Sequence, residues 1–198
     1  MKTVSTALLA ASLVLGGCAT SKPTTFYLLQ PIATIPATAT PVSTSTPVAL
    51  GVGPIELPHY TDRPEIVTRG DGNQLDVAEF SQWGEPLDDN VTRVLAENLS
   101  MLLPTQRAEV FPWKRAAQID YQVTVEVSRF DGTLGGDAVL AARWQVRDDR
   151  TGKEVVARKS RFTFPSVTAD HAGVVAAMNR TLDALSTDID KALESLSR

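Results

Sequence analysis

The chain of 198 residues has one cysteine, Cys18, and two histidines, His59 and His171. One cysteine excludes an internal disulfide, and with two histidines it leaves too few ligands for a Cys/His zinc site. Aromatic residues make up 6%, thin for a surface that stacks sugars or bases. Lys+Arg number 19 against 23 Asp+Glu, a net charge of −4. The basic surplus of a dedicated nucleic-acid binder is therefore missing. The apolar run Ala7–Leu15 is shorter than the roughly 20 residues of a spanning helix. What is present is an ordinary globular balance, 43% hydrophobic and 21% charged. The length fits one domain or two small ones.

That apolar run follows Lys2 and ends at Leu15-Gly16-Gly17-Cys18. A basic start followed by about 7–15 apolar residues marks a secretory signal. The four residues that close it resemble a bacterial lipobox, with residues 1–17 removed and Cys18 left as the acylated N-terminus. The expected modification is an N-acyl chain and an S-diacylglycerol on Cys18, with palmitate as a typical acyl group. Two or three acyl chains hold a protein to a membrane durably, whereas one does not. Ala19 stands where an aspartate would signal inner-membrane retention in Gram-negative lipoproteins, so the expected location is the periplasmic face of the outer membrane.

Residues 18–47 read as a lipidated tether. Pro31–Pro47 holds four prolines, five threonines and two serines without a charge, a linker composition with polyproline II character. Upstream, Phe26-Tyr27-Leu28-Leu29 is a short apolar patch able to add a strand to the domain. Leaving it in water would forgo several kcal/mol of burial, so docking is expected. The free tether would then be Ala19–Thr25, at most roughly 20–25 Å long.

The domain itself occupies residues 48–198. Val48, Leu50 and Val52 alternate, and Ile55 and Leu57 continue on the opposite parity after Gly53-Pro54, the signature of a bulge or bend. Glu65–Arg69 and Gln74–Phe80 flank a turn at Gly70–Asn73. Leu87, Val91, Val94, Leu95, Leu99 and Leu102 recur at helical spacing, with Pro86 at the start and Asp88 and Asp89 suited to the helix N-terminus. Ala108–Phe111 is a short strand candidate. Ile119–Val127 alternates cleanly, and Asp137–Arg147 and Lys153–Phe164 complete an antiparallel meander. Val174, Met178, Leu182, Leu185, Ile189 and Leu193 form a long amphipathic stripe on a second helix, Asp170–Leu196. The reading is a single mixed α/β domain, about six strands in one sheet covered by two principal helices.

Chemistry is sparse. No Gly-x-Ser-x-Gly elbow, His-Glu-x-x-His or P-loop occurs. Gly51-Val52-Gly53 lies within a strand and has Glu56 where a dinucleotide fingerprint needs its third glycine. Neither histidine has a nucleophile beside it. Arg143, Arg147, Arg158, Lys159 and Arg161 fall on one hairpin and read as solvated strand faces that protect a sheet edge. No enzymatic activity, metal or cofactor is expected.

One stretch carries a specific pattern. Gly53-Pro54, Leu57–Arg69 (LPHYTDRPEIVTR), Trp83-Gly84-Glu85-Pro86-Leu87 and Arg93–Ser100 (RVLAENLS) closely resemble the ABC-type transport auxiliary lipoprotein family, whose best-known members belong to paraquat-inducible operons. The lipobox, the Phe26–Leu29 patch, the hairpin with Trp144 and the C-terminal helix extend the resemblance over nearly the whole chain. It implies an α/β sandwich related in outline to the TolB N-terminal domain. It also implies a non-enzymatic component of a trans-envelope lipid transport system that supports membrane integrity. The partners implied are a mammalian-cell-entry (MCE) domain protein, docked at the outer membrane, and an inner-membrane permease, with copies of the lipoprotein associating in a docking ring. Tyr60, Arg63, Arg69, Trp83 and Glu85 have two readings. They form a docking surface for that partner, or they stabilise the fold, with Trp83 filling an apolar gap and Arg63 or Arg69 paired with Glu85. Against the transport reading stand a scaffolding lipoprotein of another outer-membrane machine and a tethered hydrolase with an unusual site.

Overall fold

A computed structural model describes residues 22–32, 48–103, 107–113 and 118–196. In chain order the strands are β1 (Thr25–Tyr27), β2 (Ala49–Glu56), β3 (Glu65–Arg69), β4 (Leu75–Trp83), β5 (Arg107–Val110), β6 (Tyr121–Gly132), β7 (Asp137–Asp148) and β8 (Glu154–Pro165). Helix α1 (Leu87–Leu102) follows β4, helix α2 (His171–Leu196) follows β8, and a 3-10 turn spans His59–Thr61. The signal segment, Cys18 and most of the Pro/Thr/Ser stretch lie outside the described residues.

β6, β7 and β8, twelve residues each, form the expected antiparallel meander. Along β7 the alternation runs from Leu140 to Arg147, and Val139, buried beside Ala138 and Leu140, departs from it. Ala138, Leu140, Ala142, Trp144 and Val146 are buried, while Arg143, Gln145 and Arg147 face water, as a sheet covered on one face requires. The covered face carries both helices, α1 over β2 and β5 and α2 over β6, β7 and β8. β7 takes one edge of β6. The other edge is shared, with Leu50–Glu56 of β2 pairing parallel with Tyr121–Glu126 and β3 meeting Gly132 through Thr68. The sheet therefore forks beside β6, one arm continuing through β5 and the other through β4 to β1.

Eight strands stand where about six were expected. The two shortest, β1 and β5, three and four residues at the two arm ends, lie at the stretches read from the sequence only as strand candidates, 26–29 and 108–111. Runs that short carry no alternation of their own, and their neighbours fix them. β6 also begins two residues after Ile119 and runs to Gly132. Its register shifts between Val127 and Arg129, so Ser128 breaks the period that marks the strand in sequence. The phase change in β2 is real. Register shifts between Val52 and Ile55, and Gly53 has φ 114°, a conformation that favours glycine.

Pro86 precedes α1 as its cap, at φ −51° and ψ 131°, and Asp88 and Asp89 occupy the first turn where carboxylates oppose the helix dipole favourably. α2 opens on Asp170, whose Oδ1 accepts from the Gly173 N–H at 2.8 Å, an N-cap bond worth typically about 1 kcal/mol. Both helices bury their stripes in one contiguous core with the sheet, and Leu29 from the N-terminal segment is part of it.

Candidate functional site

The sequence motif around residues 57–100 folds into two separate polar constellations and one buried aromatic. At the first, Asp131 is fully buried on β6. Its carboxylate accepts from Arg129 Nε at 2.8 Å, Arg69 Nε at 3.0 Å and the Tyr60 hydroxyl at 2.7 Å. The Tyr60 oxygen in turn accepts from the Phe130 N–H at 3.2 Å, and the Arg69 guanidinium lies 5.8 Å from the Tyr60 ring centre. Burial, and then the hydrogen bond to Asp131, push the Tyr60 hydroxyl above its ordinary pKa. The bond to Asp131 raises Arg69 as well. The tyrosine therefore stays a neutral donor. With every oxygen of Asp131 engaged, this is a closed network that fastens the Pro58–Arg69 segment to β6.

The second constellation is Glu85–Arg93–Glu97 at the start of α1. Arg93 donates to Glu85 at 2.7 Å and to Glu97 at 3.3 Å. The pairing of Glu85 with Arg63 or Arg69 is thus corrected: Arg69 belongs to Asp131 on β6, and Glu85 is taken by Arg93, eight residues on and one helical face away. Trp83 is buried in the core, as its apolar reading requires. Arg63 is exposed, and its side chain makes no hydrogen bond or ion pair among the described residues. Of the three charged motif residues, only Arg63 has a side chain outside every hydrogen bond and ion pair among the described residues, whereas Arg69 and Glu85 are partly exposed but paired.

Signals for Arg129 and Asp131 were absent from the motif because they lie some sixty residues downstream in sequence. A polar residue on the far side of a bulged strand looks solvated until the 3-10 turn is placed over it.

A third arrangement bears on the tether. β1 pairs parallel to β4, Thr25 opposite Ser81 and Tyr27 opposite Trp83, so the expected strand forms, but over Thr25–Tyr27, with Leu29 buried while Phe26 and Leu28 stay exposed. Beyond it the chain is held by three helical asparagines. Asn90 Oδ1 accepts from the Leu29 N–H at 2.7 Å while its amide faces the Leu29 carbonyl at 3.4 Å. Asn179 Oδ1 accepts from the Gln30 N–H at 3.0 Å. Asn98 Oδ1 accepts from the Ile32 N–H at 2.8 Å, and its amide donates to Asp183 at 3.2 Å and Ser186 at 3.0 Å. An extended segment without strand partners would otherwise leave buried N–H groups unmet. Asparagine supplies the acceptor and still fits a helix. Burial raises the Asp183 carboxyl against the opposing bond from Asn98.

The basic hairpin splits between the faces of the sheet. Arg158 faces α2, paired with Asp188 at 3.1 Å and lying 5.7 Å from the Trp144 ring. Arg143, Lys159 and Arg161 share the uncovered face with Glu126 and Ser128, around a shallow cavity of about 390 Å³. β8 is an edge strand, and charged residues along it blunt edge-to-edge pairing. His171 Nδ1 lies 3.2 Å from the Ser81 hydroxyl, and burial lowers its pKa. Among the described residues no group of three His, Cys, Asp or Glu side chains is placed to hold a metal ion. No helix among them is long and apolar enough to cross a membrane.

Fold and site together define a mixed α/β domain with a forked sheet, helices on one face and a docked N-terminal strand. The same fold occurs in a crystal structure of an uncharacterised protein, with a TM-score of 0.70 and 19% identity over 87% of this chain and 99% of that one. It occurs again in protein XCC0632 from Xanthomonas campestris, with a TM-score of 0.69 and 19% identity over 84% and 92%. Identity this low speaks to fold alone. Among curated proteins none matches the chain. The sequence model for the ABC-type transport auxiliary lipoprotein component matches residues 27–190, and the chain belongs to that family.

Proposed function

We propose that the protein is the outer-membrane component of a trans-envelope lipid transport system. Acylated Cys18 holds it at the periplasmic face, and it docks an MCE-domain protein whose inner-membrane permease completes the system. In this reading the protein binds and positions and catalyses nothing. The observation that carries it is the extent of the family match. Residues 27–190 include the docked residues from Tyr27 to Ile32 as well as the globular part, so the family unit begins close behind Cys18 in sequence. A domain held this close to its anchor suits a fixed receiver better than a carrier that shuttles across the periplasm.

Two measurements test the parts separately. Cys18→Ser should yield an unprocessed or soluble periplasmic protein with its domain folded, and globomycin-insensitive processing of the parent or unchanged membrane fractionation of the variant would refute the anchor. For docking, the internal engagement of Tyr60, Arg69, Trp83 and Glu85 leaves Arg63 as the motif residue to examine. Arg63→Ala in the full acylated protein should weaken capture of the MCE protein at unchanged melting temperature. Equal capture by variant and parent would remove Arg63 from the docking surface.

A further inference from the structure

Several exposed apolar side chains are scattered over the surface, which by itself is normal. Two of them share one place. Leu134 tips the turn between β6 and β7 and is 45% exposed. Val167, in the loop between β8 and α2, is 85% exposed. Those two loops are bonded to each other, the Ser166 N–H donating to the Gly136 carbonyl at 2.8 Å. At Gly135 even a methyl group would lie 3.1 Å from Ala169 Cβ. The turn is closed by Gly135, at φ 68°, and leaves Leu134 partly exposed at its tip.

The same end of the molecule receives the N-terminal chain. The Val167 loop leads directly into His171, which contacts Ser81 on β4 at 3.2 Å, and Ser81 is the register partner of Thr25 in β1. Phe26, the next residue, is 64% exposed. Only Ala19–Thr24 separate Cys18 from β1, a reach of roughly 20 Å when fully extended. The opposite end of the meander is different in kind. Its turn, Asp149–Lys153, is polar throughout apart from Gly152 and is exposed.

We propose that the end of the domain formed by the Thr133–Gly136 turn and the Ser166–Asp170 loop rests on the phospholipid surface to which the N-terminus is anchored, with Leu134 and Val167 entering the interfacial region. The proposal rests on the anchoring of Cys18 proposed above. Charges around the two side chains set the depth. Exposed Lys22 and the Arg180 guanidinium, which donates to the Pro165 carbonyl and lies 5.5 Å from the Phe164 ring, bring cations to the headgroup level. Asp137 is exposed there too. The Asp170 carboxylate is occupied by the Gly173 N–H and the Thr168 hydroxyl. With acids and bases both present, the contact is shallow, two apolar side chains among headgroups.

Acylation consumes the thiol of Cys18, so Val167→Cys or Leu134→Cys introduces the one free thiol of the mature chain. Each full acylated variant, labelled with a polarity-sensitive fluorophore, is reconstituted on vesicles of phosphatidylethanolamine and phosphatidylglycerol. Thr151→Cys serves as the reference at the far end. The expected result is a blue shift at residues 134 and 167 relative to the same labels on soluble Cys18→Ser protein. Loss of emission with lipids brominated near the headgroup should accompany it, with neither effect at residue 151. Vesicle flotation of the unlabelled protein reads the anchor separately. If the protein floats while both labels keep their aqueous emission, the proposal is overturned and the anchor stands. If it does not float, the anchor reading fails and the proposal falls with it.

Discussion

Replacing Asn90 by alanine tests whether the N-terminal segment is latched by a side chain or merely laid against the helices. Asn90 is buried near the start of α1, and it is the acceptor of the Leu29 N–H at 2.7 Å. Leu29 is itself fully buried, so water does not replace the lost acceptor while the segment stays docked. A buried donor left unmet costs about 1–3 kcal/mol, and the contact to the Leu29 carbonyl is lost as well. The cost falls on the docked state alone, because once the segment lifts its amides are hydrated. Local opening of residues 25–32 should therefore become easier by that amount. Hydrogen exchange at the Leu29 amide would then run about 5-fold to about 150-fold faster, at 1.4 kcal/mol per decade. Amides in the centre of β7, such as Trp144, should keep their protection. Asn179→Ala is the graded control, since its bond to Gln30 is exposed and its loss should accelerate exchange less. Unchanged exchange at Leu29 in Asn90→Ala, or equal acceleration at Leu29 and Trp144, would refute the latch.

Three further outcomes follow from packing and charge. Asp131→Ala strands two guanidiniums and the Tyr60 hydroxyl, and it should cost about 3 kcal/mol in chemical denaturation, the low end for a broken buried pair because both arginines reach water. A loss within about 0.5 kcal/mol, as for an ordinary surface substitution, would make the network dispensable. Burial, and then Glu194, push the Asp190 carboxyl from 3.8 up to about 6, and its Oδ1 has no hydrogen-bond partner. The folded state therefore binds this proton more tightly than the unfolded chain, and stability declines as pH rises from about 4 to about 6. Asp190→Asn should gain about 1 kcal/mol at pH 7, the full shift being screened at a half-buried site, and nothing at pH 4. Equal gains at both pH values would count against the assignment. Gly173→Ala should lower the melting temperature although alanine is the better helix former, because the new methyl falls on the Thr168 carbonyl oxygen. A raised melting temperature would contradict it.

Periodicity made most of the domain legible. The stripes of α1 and α2 and the alternation of β7 each repeat over enough residues to stand above noise, and the structure places them within a residue or two. β1 and β5 carry no such repetition, since strands of three or four residues exist only where a neighbouring edge offers hydrogen bonds. The motif residues were visible as a group, but their partners were not. Arg69 and Glu85 are oppositely charged and near in sequence, yet β3 carries Arg69 to Asp131 while α1 brings Arg93 to Glu85. The asparagine latch was equally hidden. Asn90, Asn98 and Asn179 look like polar helix positions until an extended segment lies beside them with unmet amides.

The latch also constrains the order of assembly. Gln30 is bonded to Asn179, 149 residues further along the chain, and Ile32 to Asn98, which in turn is braced by Ser186 of α2. Neither acceptor is in position until α2 has packed, and α2 follows all eight strands of the described residues. Contacts of such sequence separation form late and slow a folding reaction, and chains emerge N-terminus first. Residues 25–32, made before the helices that hold them, then find their place only after the core they cover is already built.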